Sequence, residues 1–247
     1  MAEGRTGKYE ALLIDLDGTL LNLDIEKFIP AYLEALSKQF TGHLHRDDFI
    51  RHLFEATRIM VEDNDPDKKN ETIFYKEFCK RIGKSQKQIQ PIVDDFYRNV
   101  FPSLQCWGKV HPHARAVVKY ARRKNLILVL ATNPIFPAVA ILQRLSWSGF
   151  SPDDFDLVTT MENMHFCKPN PSYYTEITRI IKCPPEKCLM AGNDTLEDLS
   201  ALKAGLDTFL VEDLLLHRTD KEPVSTYRGK LKDLAVLMKS LEPVRRN

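Results

Sequence analysis

The sequence predicts an α/β fold: a doubly wound parallel sheet interrupted by an inserted all-helical domain. Three observations predict it. Short apolar runs recur at residues 11–16, 126–131, 157–160, 188–191 and 208–211. Segments with 3.6-residue apolar spacing separate them. Between the first two runs lies a long stretch, residues 22–107, that carries helical spacing alone. Continuous apolar strands alternating with helices belong to a parallel sheet covered on both faces.

The first strand covers Ala11–Leu16 and ends on acids and Gly18. Helical stripes follow at Ile25, Phe28, Ile29, Tyr32, Leu33, Leu36 and Phe40, then at Phe49, Leu53, Ala56 and Met60. Two more come at Ile73, Phe74, Phe78 and Ile82, and at Ile89, Ile92, Val93, Phe96 and Val100. Gly42, the Asp63–Asn70 segment with Pro66, and Gly83 separate them. Four amphipathic helices make a small bundle, with Phe74, Phe78, Phe96 and Tyr97 in its own core. The remainder alternates: helix His113–Lys124, strand Leu126–Ala131, helix Phe136–Leu145, strand Leu157–Thr160 and helix Ser172–Ile181. Strand Cys188–Ala191, helix Leu196–Ala204 closed by Gly205, strand Thr208–Val211 and helix Leu231–Leu241 complete it. The first strand belongs with this part. The expected core domain is therefore 1–21 plus 108–247, and the insert is 22–107.

Composition narrows the function. The 247 residues are 43% hydrophobic and 28% charged, which excludes a disordered or fibrous chain. Lys+Arg at 35 nearly balances Asp+Glu at 34, so no basic excess invites nucleic acid or an anionic membrane. No run reaches the roughly 18 apolar residues of a membrane span, and the polar start carries no signal-peptide core. The five cysteines are odd in number and lack paired or zinc-type spacing, so reduced thiols in a cytoplasmic protein are expected. A monomer or a homodimer fits equally well.

In open α/β sheets ligands sit beyond the carboxyl ends of the strands. There the sequence offers Asp15 and Asp17, then Thr132 and Asn133, then Lys168, then Asp194 with Asp198 four residues on. Asp15 and Asp17, two apart, face one side if the strand stays extended. Four carboxylates and one ammonium leave an excess of three negative charges. A dication relieves it, and a hard oxygen cluster suits Mg²⁺. Each motif alone has an ordinary structural role: Asp-x-Asp-Gly as a turn, Thr132-Asn133-Pro134 or Asp194-Thr195 as helix caps, Lys168-Pro169 as a loop. Together, at successive strand ends, they point to a site for a phosphate ester.

Asp15-Leu16-Asp17-Gly18-Thr19-Leu20 resembles the first motif of the haloacid dehalogenase-like hydrolase superfamily. Ala131-Thr132-Asn133 resembles the second motif, Lys168-Pro169-Asn170-Pro171 the third, and Gly192-Asn193-Asp194 through Asp198 and Ala204-Gly205 the fourth. Two departures stand out: Asn193 interrupts the usual Gly-Asp pair, and Asn22 stands where an Asp is common. The helical insert sits where this family puts its cap of the first type. The resemblance implies a phosphatase in which Asp15 is the nucleophile and Asp17 the general acid and base. Thr132, Asn133 and Lys168 would bind the phosphoryl group. Asp15, Asp194 and the backbone carbonyl of Asp17 would hold Mg²⁺, with Asp198 orienting Lys168 or a metal-bound water. Asp17 favours phosphoryl transfer, because dehalogenases of the family typically lack it. The expected activity is Mg²⁺-dependent hydrolysis of a small phosphomonoester through an aspartyl-phosphate. The alternatives are a sugar-phosphate mutase or phosphotransferase, and a non-catalytic phosphate-binding protein of the same fold.

Overall fold

The computed structural model describes residues 8–218, 220 and 222–245. Eight strands and eight α-helices are named in chain order: β1 (Ala11–Ile14), β2 (Leu21–Leu23), α1 (Ile25–Gln39), α2 (Arg46–Glu62), α3 (Asn70–Ile82) and α4 (Gln86–Asp95). They continue with β3 (Gly108–Val110), α5 (Ala114–Arg123), β4 (Ile127–Leu130), α6 (Ala138–Trp147), β5 (Leu157–Val158) and α7 (Pro171–Ile180). The last are β6 (Cys188–Gly192), β7 (Asp207–Val211), β8 (Tyr227–Gly229) and α8 (Leu231–Ser240). Six strands form one parallel sheet in the order β5-β4-β1-β6-β7-β8.

The alternation of side chains across the strands builds two cores. Leu12, Ile14, Leu128, Leu130, Leu189 and Ala191 share one cluster with Val117 of α5 and Leu234 of α8. Ala11, Leu13, Val129, Cys188 and Met190 join Tyr173 and Ile177 of α7 in the other. Every residue of β1 is buried, as a central strand covered on both faces requires. All five cysteines are free thiols. Among the described residues no helix is long and apolar enough to cross a membrane.

Three sequence expectations change. β1 ends at Ile14, because the chain turns there towards Gly18. The helix expected at Leu196–Ala204 is a 3-10 helix over Asp198–Ala204. Strands β2, β3 and β8, only three residues each, escape periodicity altogether. β2 and β3 pair antiparallel, so the two crossings between the sheet and the helical insert are stitched together.

Past α4 the insert does not stop but tightens, through a π-turn at Phe96–Val100 into a 3-10 helix at Phe101–Trp107. That segment carries Phe101 against Trp147 of α6, rings stacked 5.3 Å apart, and edge-on to Phe28 of α1 at 6.1 Å. Phe96 and Tyr97 join this aromatic hub rather than a core private to the insert. α1 thereby comes to the carboxyl ends of β1 and β4, where Ile25 and Ile29 line one cavity with Asp15 and Thr132.

Candidate active site

β1 lies between β4 and β6, with Ile14 beside both Leu130 and Ala191. From β1 the sheet grows outward in both directions, so the crevice beyond Ile14 is its topological switch point. The three chains leaving that point carry Asp15, Thr132 and Asp194.

The Asp15 N–H donates to the Ala191 carbonyl at 2.9 Å and is the last tie of this segment to the sheet. A tight turn follows, in which the Gly18 N–H donates to the Leu21 carbonyl at 2.7 Å. Gly18 has φ +83°, and a Cβ there would lie 2.2 Å from Asn193 Nδ2, so only glycine fits. The turn, not an extended strand, directs Asp15 and Asp17 into one cavity. Asn193, which interrupts the fourth motif, has its own work: it accepts from Thr19 Oγ1 at 3.3 Å and donates to the Leu214 carbonyl at 2.5 Å. It laces the first-motif turn to the 213–216 loop.

Lys168 is 1% exposed. Its ammonium donates to Asp15 Oδ1 at 3.0 Å and to Asp198 Oδ1 at 2.6 Å. The other Asp198 oxygen accepts from the Asp194 N–H at 2.9 Å. Asp198 thus ties the lysine to the loop that carries Asp194. The approach is so close that a Cβ on Gly192 would fall 2.1 Å from Asp198 Oδ2. Asn133 holds the same lysine by its backbone, accepting from its N–H at 3.2 Å and donating to its carbonyl at 3.4 Å. The Asn133 side chain thus positions Lys168, while the residue itself lines the cavity beside Thr132. Thr132 is fixed through its carbonyl, which accepts from Thr159 Oγ1 at 2.8 Å and from the Tyr173 hydroxyl at 2.9 Å.

Asp15, Asp17, Thr132, Asn133, Asp194 and Asp198 all line one cavity of ≈ 180 Å³, and Lys168 stands behind its wall. The cavity shares Asp17, Asn193 and Leu216 with a wider, open cleft of ≈ 690 Å³ that leads to solvent. Two arginines absent from the sequence expectation complete the lining. Arg144 of α6 is 1% exposed, and its Nε lies 3.3 Å from Asp17 Oδ1. Its guanidinium stacks 4.2 Å over the Phe136 ring, and none of its nitrogens has a hydrogen-bond partner among the described residues. Arg218 Nε pairs with Asp194 Oδ2. The two guanidinium groups offset two of the three excess negative charges. Arg144 was legible as a charge inside the apolar stripe of Ile141 and Leu145; Arg218 lies in a loop without pattern.

Burial dominates the electrostatics. It pushes the Asp15 carboxyl well above the usual range, against the pull of Lys168. It raises Asp17 too, with Arg144 and then Lys168 opposing. It works against the Lys168 charge, but Asp15 and Asp198 outweigh it and hold the ammonium well above its ordinary value. Glu197, which also lines the cavity, is pushed up to about 7 by burial.

The donor chemistry suits a hard cation: the carboxylates of Asp15 and Asp194 flank one cavity. Among the described residues, though, no three acids, histidines or cysteines are drawn together as a metal cage. Asp194 instead directs Oδ1 to the N–H groups of Leu196 and Glu197, at 2.8 and 2.9 Å, and Oδ2 to Arg218.

Comparison with known proteins bears on the family and the fold. The family model described as haloacid dehalogenase-like hydrolase matches residues 9–205. The pyrophosphatase PpaX of Bacillus anthracis is 22% identical over 240 residues, covering 95% of this chain and 98% of its own. A phosphatase of the same superfamily from Thermococcus onnurineus superposes with a TM-score of 0.60 at 18% identity, over 95% of this chain and all of that one. A 2-haloacid dehalogenase from Pseudomonas syringae pv. Tomato DC3000 superposes with a TM-score of 0.62 at 17% identity, over 93% of this chain and 98% of that one. At such identities the solved structures bear on fold alone.

Proposed function

This chain belongs to the haloacid dehalogenase-like hydrolase family, and we propose that within it the protein is a Mg²⁺-dependent phosphatase acting on a small phosphomonoester. The observation that carries the reading is Asp17. It lines the same buried cavity as Asp15 and has Arg144 3.3 Å away. Dehalogenation has no use for a proton donor at that position, whereas expulsion of an alkoxide needs one.

Asp15, steadied by Lys168, attacks phosphorus in line and forms an aspartyl-phosphate. Asp17 gives its proton to the departing oxygen and then takes one from the water that hydrolyses the intermediate. Burial pushes the Asp17 carboxyl upward, the direction a proton donor needs, and the Arg144 charge that opposes it would steady the carboxylate left behind. Thr132 offers its hydroxyl to a phosphoryl oxygen, and Lys168 balances charge on the nucleophile. Asp15, Asp194 and the Asp17 carbonyl would hold Mg²⁺, which when bound supplies charge neutralisation for the transferring group. The division into a core of 1–21 plus 108–247 and a cap of 22–107 is part of the same proposal: the aromatic hub keeps the helices over the site, where they exclude water.

The test is phosphate release from an aryl phosphate, run beside pyrophosphate and a 2-haloacid. Turnover of the ester that disappears in chelator and in Asp15→Asn supports the reading. Faster turnover of pyrophosphate, or halide release, would replace it.

A further inference from the structure

A second cavity, ≈ 140 Å³, lies between the helices of the insert and the core residues Ile135, Phe136, Pro137 and Met161. It shares Ile29, Ile135 and Phe136 with the catalytic cavity. Phe136 is the common wall: the Arg144 guanidinium stacks on it at 4.2 Å, and the Tyr32 ring of the chamber meets it edge-on at 5.4 Å. Arg144 in turn faces Asp17, so one chain of contacts leads from the proton donor to the chamber. The walls are apolar, built by Leu33, Phe49, Phe74 and their neighbours. Their polar atoms are already engaged: the hydroxyls of Tyr32 and Tyr97 bond each other at 2.9 Å, and Thr57 Oγ1 donates to the Leu53 carbonyl at 2.9 Å. A sugar hydroxyl entering this space would lose water and find few partners.

We propose that this chamber receives an apolar leaving group, so that the substrate is a phosphomonoester of an aliphatic or aromatic alcohol. The proposal rests on the phosphatase reading and narrows it. The volume matches a dry cavity of about 150 Å³ that accepts one benzene ring. The fitting group is thus a single ring or a chain of roughly four to six carbons. The polar cleft on the other side of Asp17, lined by Asn22, Asp24, Lys27 and Lys109, is the entry for the phosphate and the competing seat for a polar alcohol.

The experiment measures kcat/KM of the full chain for n-alkyl phosphates from methyl to hexyl and for glycerol 3-phosphate. Calorimetry of the matching methyl- and hexylphosphonates runs in parallel and needs no turnover. A gain of roughly two- to fourfold per methylene, in rate and in affinity, supports the chamber. Thr57→Phe, which fills it, brings the hexyl-to-methyl ratio close to one. A flat series, preference for glycerol 3-phosphate, or a folded Thr57→Phe protein with the wild-type ratio overturns the proposal, and Mg²⁺-dependent turnover would survive any of these. Absence of all turnover removes the phosphatase reading, and the phosphonate affinities still decide for or against the chamber.

Discussion

At the residue scale, Lys168 shows how far a buried charge depends on its partners. With 1% exposure it would be expensive to ionise, yet Asp15 and Asp198 lie within 3.0 and 2.6 Å. Asp17 is the opposite case, a half-buried acid whose Oδ1, itself buried, has Arg144 alongside but no hydrogen bond among the described residues. If Asp17 delivers the proton, Asp17→Asn should lower kcat by about 10²–10⁴ for an alkyl phosphate and far less for a nitrophenyl ester, whose leaving group needs no proton. Steady-state rates with the two esters check this; equal losses would contradict it. Arg218 competes for the acid proposed to hold Mg²⁺. Arg218→Gln should tighten Mg²⁺ binding several-fold, read as a larger rise in melting temperature per added Mg²⁺. No change, or weaker binding, would mean that Arg218 does not contest Asp194.

At the scale of elements, the long periodic helices and the buried strands were legible, because burial on one or both faces leaves a period in the sequence. The rest was not, for identifiable reasons. β2, β3 and β8 are too short to carry a period. The 3-10 helix at Phe101–Trp107 exists through its packing on Trp147 and Phe28, which no local pattern reveals. Phe101→Ala should cost about 3–5 kcal/mol of stability, measured by denaturant unfolding. A loss under 1 kcal/mol would mean the hub does not hold the cap to the core. The start of β7 carries another tie: Asp207 accepts from the Tyr9 hydroxyl and pairs with Lys8. Burial opposes the Asp207 charge, but these partners prevail and hold its carboxyl below the usual range. A depressed carboxyl contributes stability above its unfolded pKa, and that contribution fades as pH falls through the folded value. Asp207→Asn should therefore lower stability at neutral pH and flatten its fall between about pH 5 and 2. Melting curves across that range check it, and an unchanged slope would contradict it.

Across the whole molecule, the candidate site exists because the sheet order sets β4 and β6 on either side of β1. Asp15, Thr132 and Asp194 are far apart in sequence, and the strand-end rule alone was enough to bring them together. What that rule could not supply was anything arriving from outside the strand ends. Arg144 comes from a helix, Arg218 from a loop, and the apolar chamber from the insert. The family was thus readable in the motifs, while the two arginines and the apolar chamber depend on how helices and loops pack above the sheet.

The most direct test of the account is to find the phosphoryl group on the enzyme. Acid quench during turnover, followed by peptide mass spectrometry, should locate one phosphoryl group on Asp15. It should be absent without substrate and absent in Asp15→Asn. A phosphoryl group on another residue, or phosphate release at the wild-type rate from Asp15→Asn, would contradict the account.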